Sequence, residues 1–259
     1  MTVRGGCMIF YMKYFPIFVV LSILGMVIQG AFIAVEHKGK FVPAVILKGT
    51  ASLVFVIIGI IGFVQMESGM PFAFYDRLLL VNMTHSIALM VVLGLIFGML
   101  GDIFLGLRFV FEKIGQKIFL VGILVFFVGH IFYMIALVPM VPWNKYIFQS
   151  TMIGVVAAAV ILLLIYKFLE IKLAFKIFGF FYIGAVVIMT AIAIGNWIAS
   201  RCGFTAMFAI GAFLFMVSDV VMIFNTFGKT QRFGLRITNL GLYYIGQLLI
   251  AGALLVGWF

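Results

Sequence analysis

The stretch "FTAMFAIGAFLFMVSDVVMIFNTF" covers residues 204–227 and is apolar except for a few polar groups and a single carboxylate, Asp219. A bilayer core about 30 Å thick requires roughly 20 apolar residues in an α-helix. The stretch is therefore long enough to cross a membrane, and Asp219 lies well inside it, where a charge is unfavourable. The same arrangement occurs earlier, where "GMLGDIFLGL" (98–107) places Asp102 in another apolar run. The sequence thus predicts membrane-spanning helices that carry buried acids.

The composition of the whole chain supports a polytopic membrane protein. Of its 259 residues, 66% are hydrophobic and 9% are charged, whereas soluble domains have about 45–50% apolar and about 25% charged residues. The net charge is +10, but the basic residues lie in short loops and not in patches interleaved with aromatic residues. This pattern is typical of topology control and does not indicate binding to nucleic acid.

The apolar runs predict an all-α integral membrane protein, a bundle of eight transmembrane helices that forms a single domain over residues 1–259. A bacterium would place it in the cell membrane, and a eukaryote in an internal membrane such as the endoplasmic reticulum. The sequence does not indicate an oligomeric state. The predicted spans are about 14–35, 41–64, 84–107, 118–138, 147–166, 175–199, 204–227 and 236–258.

Basic residues predict the orientation of the spans, because cytoplasmic loops carry an excess of lysine and arginine. Lys48 lies inside the second span, and the other basic residues divide unequally between the two sets of loops. This division places both termini outside and the loop after each odd-numbered span in the cytoplasm. The outer set contains Arg4, Lys13, Arg77, Lys145 and Arg201, and the cytoplasmic set contains Lys38, Lys40, Arg108, Lys113, Lys117, Lys167, Lys172, Lys176, Lys229, Arg232 and Arg236.

Several polar side chains lie inside the predicted spans, where a charged group costs about 2.5–3.5 kcal/mol on insertion scales. Such residues usually face the interior of a bundle or a water-filled cavity. Some share a helical face because they are three or four residues apart, including a polar stripe on the last helix. The full set is Lys48, Asp102, His130, Tyr133, Asp219, Arg236, Asn239, Tyr243 and Gln247.

The depth of these residues indicates that they converge. At 1.5 Å per residue, Asp102 lies about 8 Å and Asp219 about 12 Å from the predicted cytoplasmic end of its helix. Lys48, Gln247 and His130 lie at about 10, 16 and 18 Å from the same side of the membrane. Polar residues that only stabilise helix contacts have no reason to converge, so we predict one cavity that opens towards the cytoplasm.

An internal repeat is also consistent with the sequence. Asp102 and Asp219 are 219 − 102 = 117 residues apart, and the same shift aligns Gly94 with Gly211 and Gly129 with Gly246. Few other positions match and the composition is strongly biased, so a four-plus-four duplication of helices stays open.

Four short motifs lie on the predicted spans: "GDIFL" (101–105), "FVGHIFY" (127–133), "GAFLFMVSD" (211–219) and "YYIGQLLI" (243–250). These motifs, with their order and spacing, resemble the YhhN family of integral membrane proteins. Members of this family include lysoplasmalogenases, which hydrolyse the vinyl-ether bond of lysoplasmalogens to a fatty aldehyde and a glycerophospho-head-group alcohol. The resemblance implies a membrane-embedded ether hydrolase that acts on a lysophospholipid of the bilayer, without a cofactor or a metal.

The resemblance also implies roles for individual residues. The family often has Lys-Pro in the second helix, whereas here Lys48 is followed by Gly49. The other family motifs map onto Asp102 and Asp219 (the acid pair), Gly129 and His130 (Gly-His), and Tyr243, Tyr244 and Gln247 (the last helix).

Two carboxylic acids suit vinyl-ether hydrolysis, because this bond is labile to acid and stable to base. A protonated acid delivers a proton to the β-carbon, and a carboxylate stabilises the oxocarbenium ion and deprotonates water. We expect Asp102 and Asp219 to form this pair, with the deeper Asp219 as donor. Expected binding or orienting groups are His130 and Tyr133 for water or the ether oxygen, Lys48 and Arg236 for the phosphate, and Asn239, Tyr243 and Gln247 for positioning.

Two other classes of function use the same residues. A small proton- or cation-coupled transporter would use Asp102 and Asp219 as ion sites, although no predicted span is plainly broken near them. A metal-dependent hydrolase would use both acids and His130, which is a thin set of ligands for zinc.

Overall fold

A computed structural model describes residues 14–68, 75–140 and 146–256, and within these ranges the chain is helical without a strand. Arg4, Lys13 and Lys145 of the predicted outer set lie outside the described residues, as do positions 257 and 258 of the last predicted span. The described α-helices agree with the predicted fold class. They are α1 (Phe15–His37), α2 (Phe41–Ser68), α3 (Tyr75–Val110), α4 (Gly115–Leu137), α5 (Tyr146–Phe168), α6 (Leu173–Ser200), α7 (Gly203–Phe227) and α8 (Phe233–Ala253).

The lengths and apolar character of these helices make the chain a multi-pass integral membrane protein. Helices α1 to α7 each contain a segment long and apolar enough to cross a membrane. Helix α8 has 21 residues, about 32 Å at 1.5 Å per residue, which also matches the bilayer core. Its polar stripe makes it less apolar than the others.

Most predicted spans match the helices to within four residues at each end, and two differ by more. Helix α3 begins at Tyr75, before the predicted start at 84, because hydropathy marks only the bilayer core and a helix can continue beyond it. Helix α8 ends at Ala253, before the predicted end at 258. There the N–H of Leu254 donates to the carbonyl of Ala251 at 3.2 Å, so the chain leaves the α-helix in a tighter turn.

Helices α1 and α5 lie at the periphery of the bundle. In each of them 17% of the most apolar 18-residue segment is buried inside the protein, whereas the other apolar spans have 39–50% of that segment buried. Helix α1 packs on α2, and α5 packs on α6. Val27, Ile153 and Leu163 on these two helices are 65–69% exposed, as suits side chains that contact lipid. The remaining six helices therefore form most of the interior of the bundle.

The helix contacts repeat between the two halves of the chain. Helix α3 packs on α4 as α7 packs on α8, α2 packs on α3 as α6 packs on α7, and α4 packs on α6 as α8 packs on α2. A Cβ on Gly129 would lie 3.1 Å from the carbonyl oxygen of Gly94, and one on Gly211 would lie 2.7 Å from that of Gly246. These are the glycines that the shift of 117 residues aligns, so the packing has the symmetry that a four-plus-four duplication predicts.

The close approach of α7 and α8 predicts that Gly246→Ala destabilises the protein. The new Cβ would lie 2.8 Å from the carbonyl oxygen of Gly211, and backbone atoms cannot turn aside as a side chain can. We expect a loss of about 1–3 kcal/mol, measured as a lower melting temperature in detergent. Gly241→Ala on the same helix is the control, because its Cβ would meet open space. Equal melting temperatures for the two variants would contradict this packing.

Candidate functional site

Asp102 of α3 lies at the centre of a buried polar cluster. Its Oδ1 is 2.9 Å from Lys48 Nζ, and its Oδ2 accepts hydrogen bonds from Ser52 Oγ at 2.5 Å and from the Tyr243 hydroxyl at 2.6 Å. Asp102 is 1% exposed and Lys48 is 5% exposed. Because a carboxylate only accepts hydrogen bonds, these three donors from α2 and α8 match the ionised form of Asp102.

Asp219 of α7 has a different environment. Its Oδ2 accepts a hydrogen bond from the Tyr182 hydroxyl of α6 at 2.5 Å, and the residue is buried. Among the described residues no lysine or arginine forms an ion pair with it. The two acids therefore differ in their partners, since Asp102 has a cation and two hydroxyl donors, whereas Asp219 has a single phenol.

The two aspartates line the same cavity. Its volume is about 30 Å³, which is room for one or two water molecules. Helices α2, α3, α4, α6, α7 and α8 all contribute to its walls, so acids from distant parts of the chain face one space. The other lining residues are Lys48, Leu105, Arg108, Ile123, Phe126, Tyr182, Met222, Arg236, Asn239, Leu240 and Tyr243.

The polar stripe of α8 makes contacts near both acids and at the end of the bundle. Asn239 Nδ2 donates to the carbonyl oxygen and to the Oγ of Ser218, at 3.0 Å each, next to the α7 acid. Tyr243 reaches the α3 acid one turn further along. Arg236 pairs with Glu36 of α1 through two hydrogen bonds of 3.0 and 2.6 Å. The stripe therefore ties α8 to α1, α3 and α7.

Three predicted site residues lie deeper and do not line the cavity. The Tyr133 hydroxyl donates to Gln247 Oε1 at 2.9 Å. His130 Nδ1 donates to the Phe126 carbonyl at 2.7 Å, and its buried Nε2 has no hydrogen-bond partner among the described residues. The imidazole stands edge-on to the Tyr182 ring, with centroids 5.5 Å apart. These groups support the cavity wall, whereas the predicted residues that face the cavity are Lys48, Asp102, Asp219, Arg236, Asn239 and Tyr243.

Three residues of the cluster are absent from the prediction. Ser52 follows Lys48 by four residues, so helical spacing alone could have placed it on the same face. Tyr182 bonds to an acid of another helix, and no spacing within one segment reveals such a contact. The charge count assigns Arg108 to a loop, but it lies in the last turn of α3 and lines the cavity.

The geometry does not support the metal-dependent alternative. The described part of the chain contains no group of three or more histidine, cysteine, aspartate or glutamate side chains that could hold a metal ion. His130 in particular lies behind the wall of the cavity that Asp102 and Asp219 share.

The family assignment follows from the sequence that builds this site. The YhhN family model matches residues 63–254. The chain belongs to the YhhN family. The matched region contains Asp102 and Asp219, whereas Lys48 and Ser52 precede it. Membership of the YhhN family confirms the resemblance seen in the motifs and is consistent with a lysoplasmalogenase-like enzyme. No curated protein and no solved structure matches the chain.

The Lys48–Asp102 pair predicts a large loss of stability when one partner alone is removed. Lys48→Met leaves a buried carboxylate without its cation, which typically costs about 3–5 kcal/mol. The double variant Lys48→Met/Asp102→Asn should recover much of that loss, because no unpaired charge remains. Melting temperatures of the four proteins form a double-mutant cycle, with the exposed Lys229→Met as a control. Additive effects of the two substitutions would contradict a direct pair.

Proposed function

We propose that this protein is a membrane-embedded hydrolase that cleaves the vinyl-ether bond of lysoplasmalogens. The products would be a fatty aldehyde and a glycerophospho-head-group alcohol. The observation that carries the proposal is the cavity shared by Asp102 and Asp219, in which one acid is paired with a cation and the other is not. Family membership supports the same class of reaction.

The first step is transfer of a proton to the β-carbon of the vinyl ether, which leaves an oxocarbenium ion at the carbon bonded to oxygen. Asp219 is the proposed donor, because a buried acid without a cation holds its proton more readily than an acid beside an ammonium group. Asp102, which pairs with Lys48, stabilises the positive charge that develops. The different partners of the two acids thus divide the roles that the chemistry requires.

The remaining steps return both acids to their starting states. Water adds to the oxocarbenium carbon while Asp102 accepts one of its protons, which gives a hemiacetal. Asp102 then passes this proton to the glyceryl oxygen, and the Asp219 carboxylate takes the proton of the hemiacetal hydroxyl. The carbon–oxygen bond breaks, and aldehyde and alcohol leave. One water is consumed, and the cavity has room for it.

Hydrogen bonds position the two acids for these transfers. Tyr182 holds Oδ2 of Asp219 and leaves Oδ1 available to the substrate. Ser52 and Tyr243 hold Oδ2 of Asp102. His130 acts as a positioning residue, since its ring packs against Tyr182 and does not face the cavity.

An apolar cavity of about 30 Å³ lies beside the polar one, and the hydrocarbon chain of the substrate would enter there only if the surrounding helices move apart. This cavity shares Ile123, Tyr182 and Met222 with the cavity of the aspartates and continues between α4, α5, α6 and α7. Leu162 and Phe175 are among its apolar walls. We assign the alkenyl chain to this space, which places the vinyl ether near Tyr182 and Asp219 where the two cavities meet.

The acid pair predicts that Asp102→Asn and Asp219→Asn each lower turnover at least about a hundredfold, because a general acid or base contributes roughly 10²–10⁴-fold. The measurement is aldehyde release from a lysoplasmalogen by purified protein. Asp219→Asn is the cleaner variant, since it leaves no cation unpaired and should keep its melting temperature. Glu170→Gln, an exposed acid between α5 and α6, should retain full activity. Full turnover by Asp219→Asn would exclude the mechanism.

The same assay separates the competing functions. In D₂O the aldehyde should carry one deuterium on the carbon next to its carbonyl group, because the donated proton goes there. Cleavage of the acyl lysolipid analogue alone would indicate an ordinary lysophospholipase. Proton or cation flux in proteoliposomes without aldehyde would indicate the transporter, a class in which intramembrane acids and repeated halves are common.

A further inference from the structure

Three basic side chains line the cavity of the aspartates, and two of them already have a carboxylate partner. Lys48 pairs with Asp102 at 2.9 Å, and Arg236 pairs with Glu36 through two hydrogen bonds. The third is Arg108, for which no ion pair occurs among the described residues. An anionic ligand that enters this region would therefore meet Arg108 without having to break an existing pair.

The surroundings of Arg108 hold its guanidinium group in place but leave its Nε without a hydrogen-bond acceptor among the described residues. The group lies 4.5 Å from the centroid of the Phe109 ring and 4.4 Å from that of Phe119, distances at which an arginine is attracted to an aromatic face. Its Nε is buried and has no hydrogen-bond partner within the described ranges. Buried donors of this kind are normally satisfied, so the side chain is oriented by its neighbours and still lacks an acceptor.

Arg108 also stands between two cavities. It lines the inner cavity of the aspartates and an outer, more open cavity of about 300 Å³ at the junction of α3 and α4. This volume lies at the lower end of the range for small-molecule sites. Gly115 and Gln116, the first residues of α4, line the outer cavity, and the N-terminal end of a helix favours an anion. The outer cavity therefore combines space, an arginine that forms no ion pair among the described residues, and a favourable dipole.

We propose that Arg108 binds the phosphate of a lysophospholipid head group held in the outer cavity. Arginine suits this role because its planar fork of donors matches phosphate oxygens. Arg108 follows Asp102 by six residues, about 9 Å along the helix axis. That offset would hold the phosphate in the outer cavity. The vinyl-ether bond, one glycerol unit away from the phosphate, would then lie beside Asp102 and Asp219. The proposal rests on the proposed function for its substrate class and assigns the anion contact to Arg108 in place of Lys48 and Arg236.

Glu112 should affect phosphate binding in the opposite direction to Arg108. Its exposed carboxylate lines the same outer cavity and therefore repels a phosphate that Arg108 attracts. Removing the charge of Arg108 should weaken binding of a phosphate-bearing lipid, and removing that of Glu112 should strengthen it. A general disturbance of the fold would weaken binding in both variants.

The test uses two probes that cannot be hydrolysed as vinyl ethers, a saturated 1-alkyl glycerophospholipid and the 1-alkylglycerol that lacks only the phosphate head group. Equilibrium binding of each to purified protein in non-ionic detergent gives the preference for phosphate. We expect Arg108→Gln to reduce this preference roughly tenfold or more. Arg108→Lys should have a smaller effect, since it keeps the charge and loses the fork. The control is Arg232→Gln, which removes an exposed arginine at the same end of the bundle.

The outcomes decide the proposal independently of turnover. Equal preferences in Arg108→Gln and Arg232→Gln would overturn it. If Arg108→Gln does not fold, a wild-type preference in both Arg108→Lys and Glu112→Gln would also overturn it. Inorganic phosphate that displaces the lipid probe as effectively as the lipid itself would show a site for a free anion and would overturn the assignment to a lipid head group. If Asp219→Asn keeps the wild-type preference for the phosphate-bearing probe, the head-group site is independent of the acid mechanism. This result has the same meaning whether or not the wild-type protein releases aldehyde.

Discussion

The buried ion pair between Lys48 and Asp102 is the constraint on which the rest of the site depends. Two charges in a medium of low polarity are tolerated only when they are close together and their other hydrogen bonds are satisfied. Lipid cannot supply those bonds, and for the carboxylate of Asp102 the hydroxyl groups of Ser52 and Tyr243 supply them. The pair therefore fixes how α2, α3 and α8 are rotated against one another, and with them the walls of the cavity.

The internal symmetry of the bundle contrasts with the asymmetry of its acids. Each acid follows by eight residues a glycine at a close helix contact, Gly94 for Asp102 and Gly211 for Asp219. Equivalent positions in the two halves thus place one carboxylate each on the same cavity. Their neighbours then differ, since Asp102 has an ammonium group in addition to its hydroxyl donors, whereas the described partner of Asp219 is the phenol of Tyr182. A repeated scaffold can supply two acids, and substitutions around them can make the acids unequal.

The sequence predicts the helices well because apolar length follows directly from the thickness of the bilayer. It also predicts the shared cavity of Asp102 and Asp219, because depth along a helix can be counted in residues. Depth is only one coordinate, however, and the rotation of a helix and the identity of its neighbours are set by packing. This is why hydropathy and spacing do not show that Tyr182 reaches Asp219, that Arg236 is occupied by Glu36, or that His130 lies behind the wall.

The polar stripe that builds one side of the site also bears on the biogenesis of the protein. A segment with an arginine, an asparagine and a glutamine on one face partitions less readily from the translocon into lipid than a uniformly apolar one. Helix α8 packs on α7 and α2, which are made before it, and these neighbours offer partners for the polar groups. Its insertion is thus expected to be cooperative with segments already in the membrane, so the constellation around Asp102 is completed only when the last helix is in place.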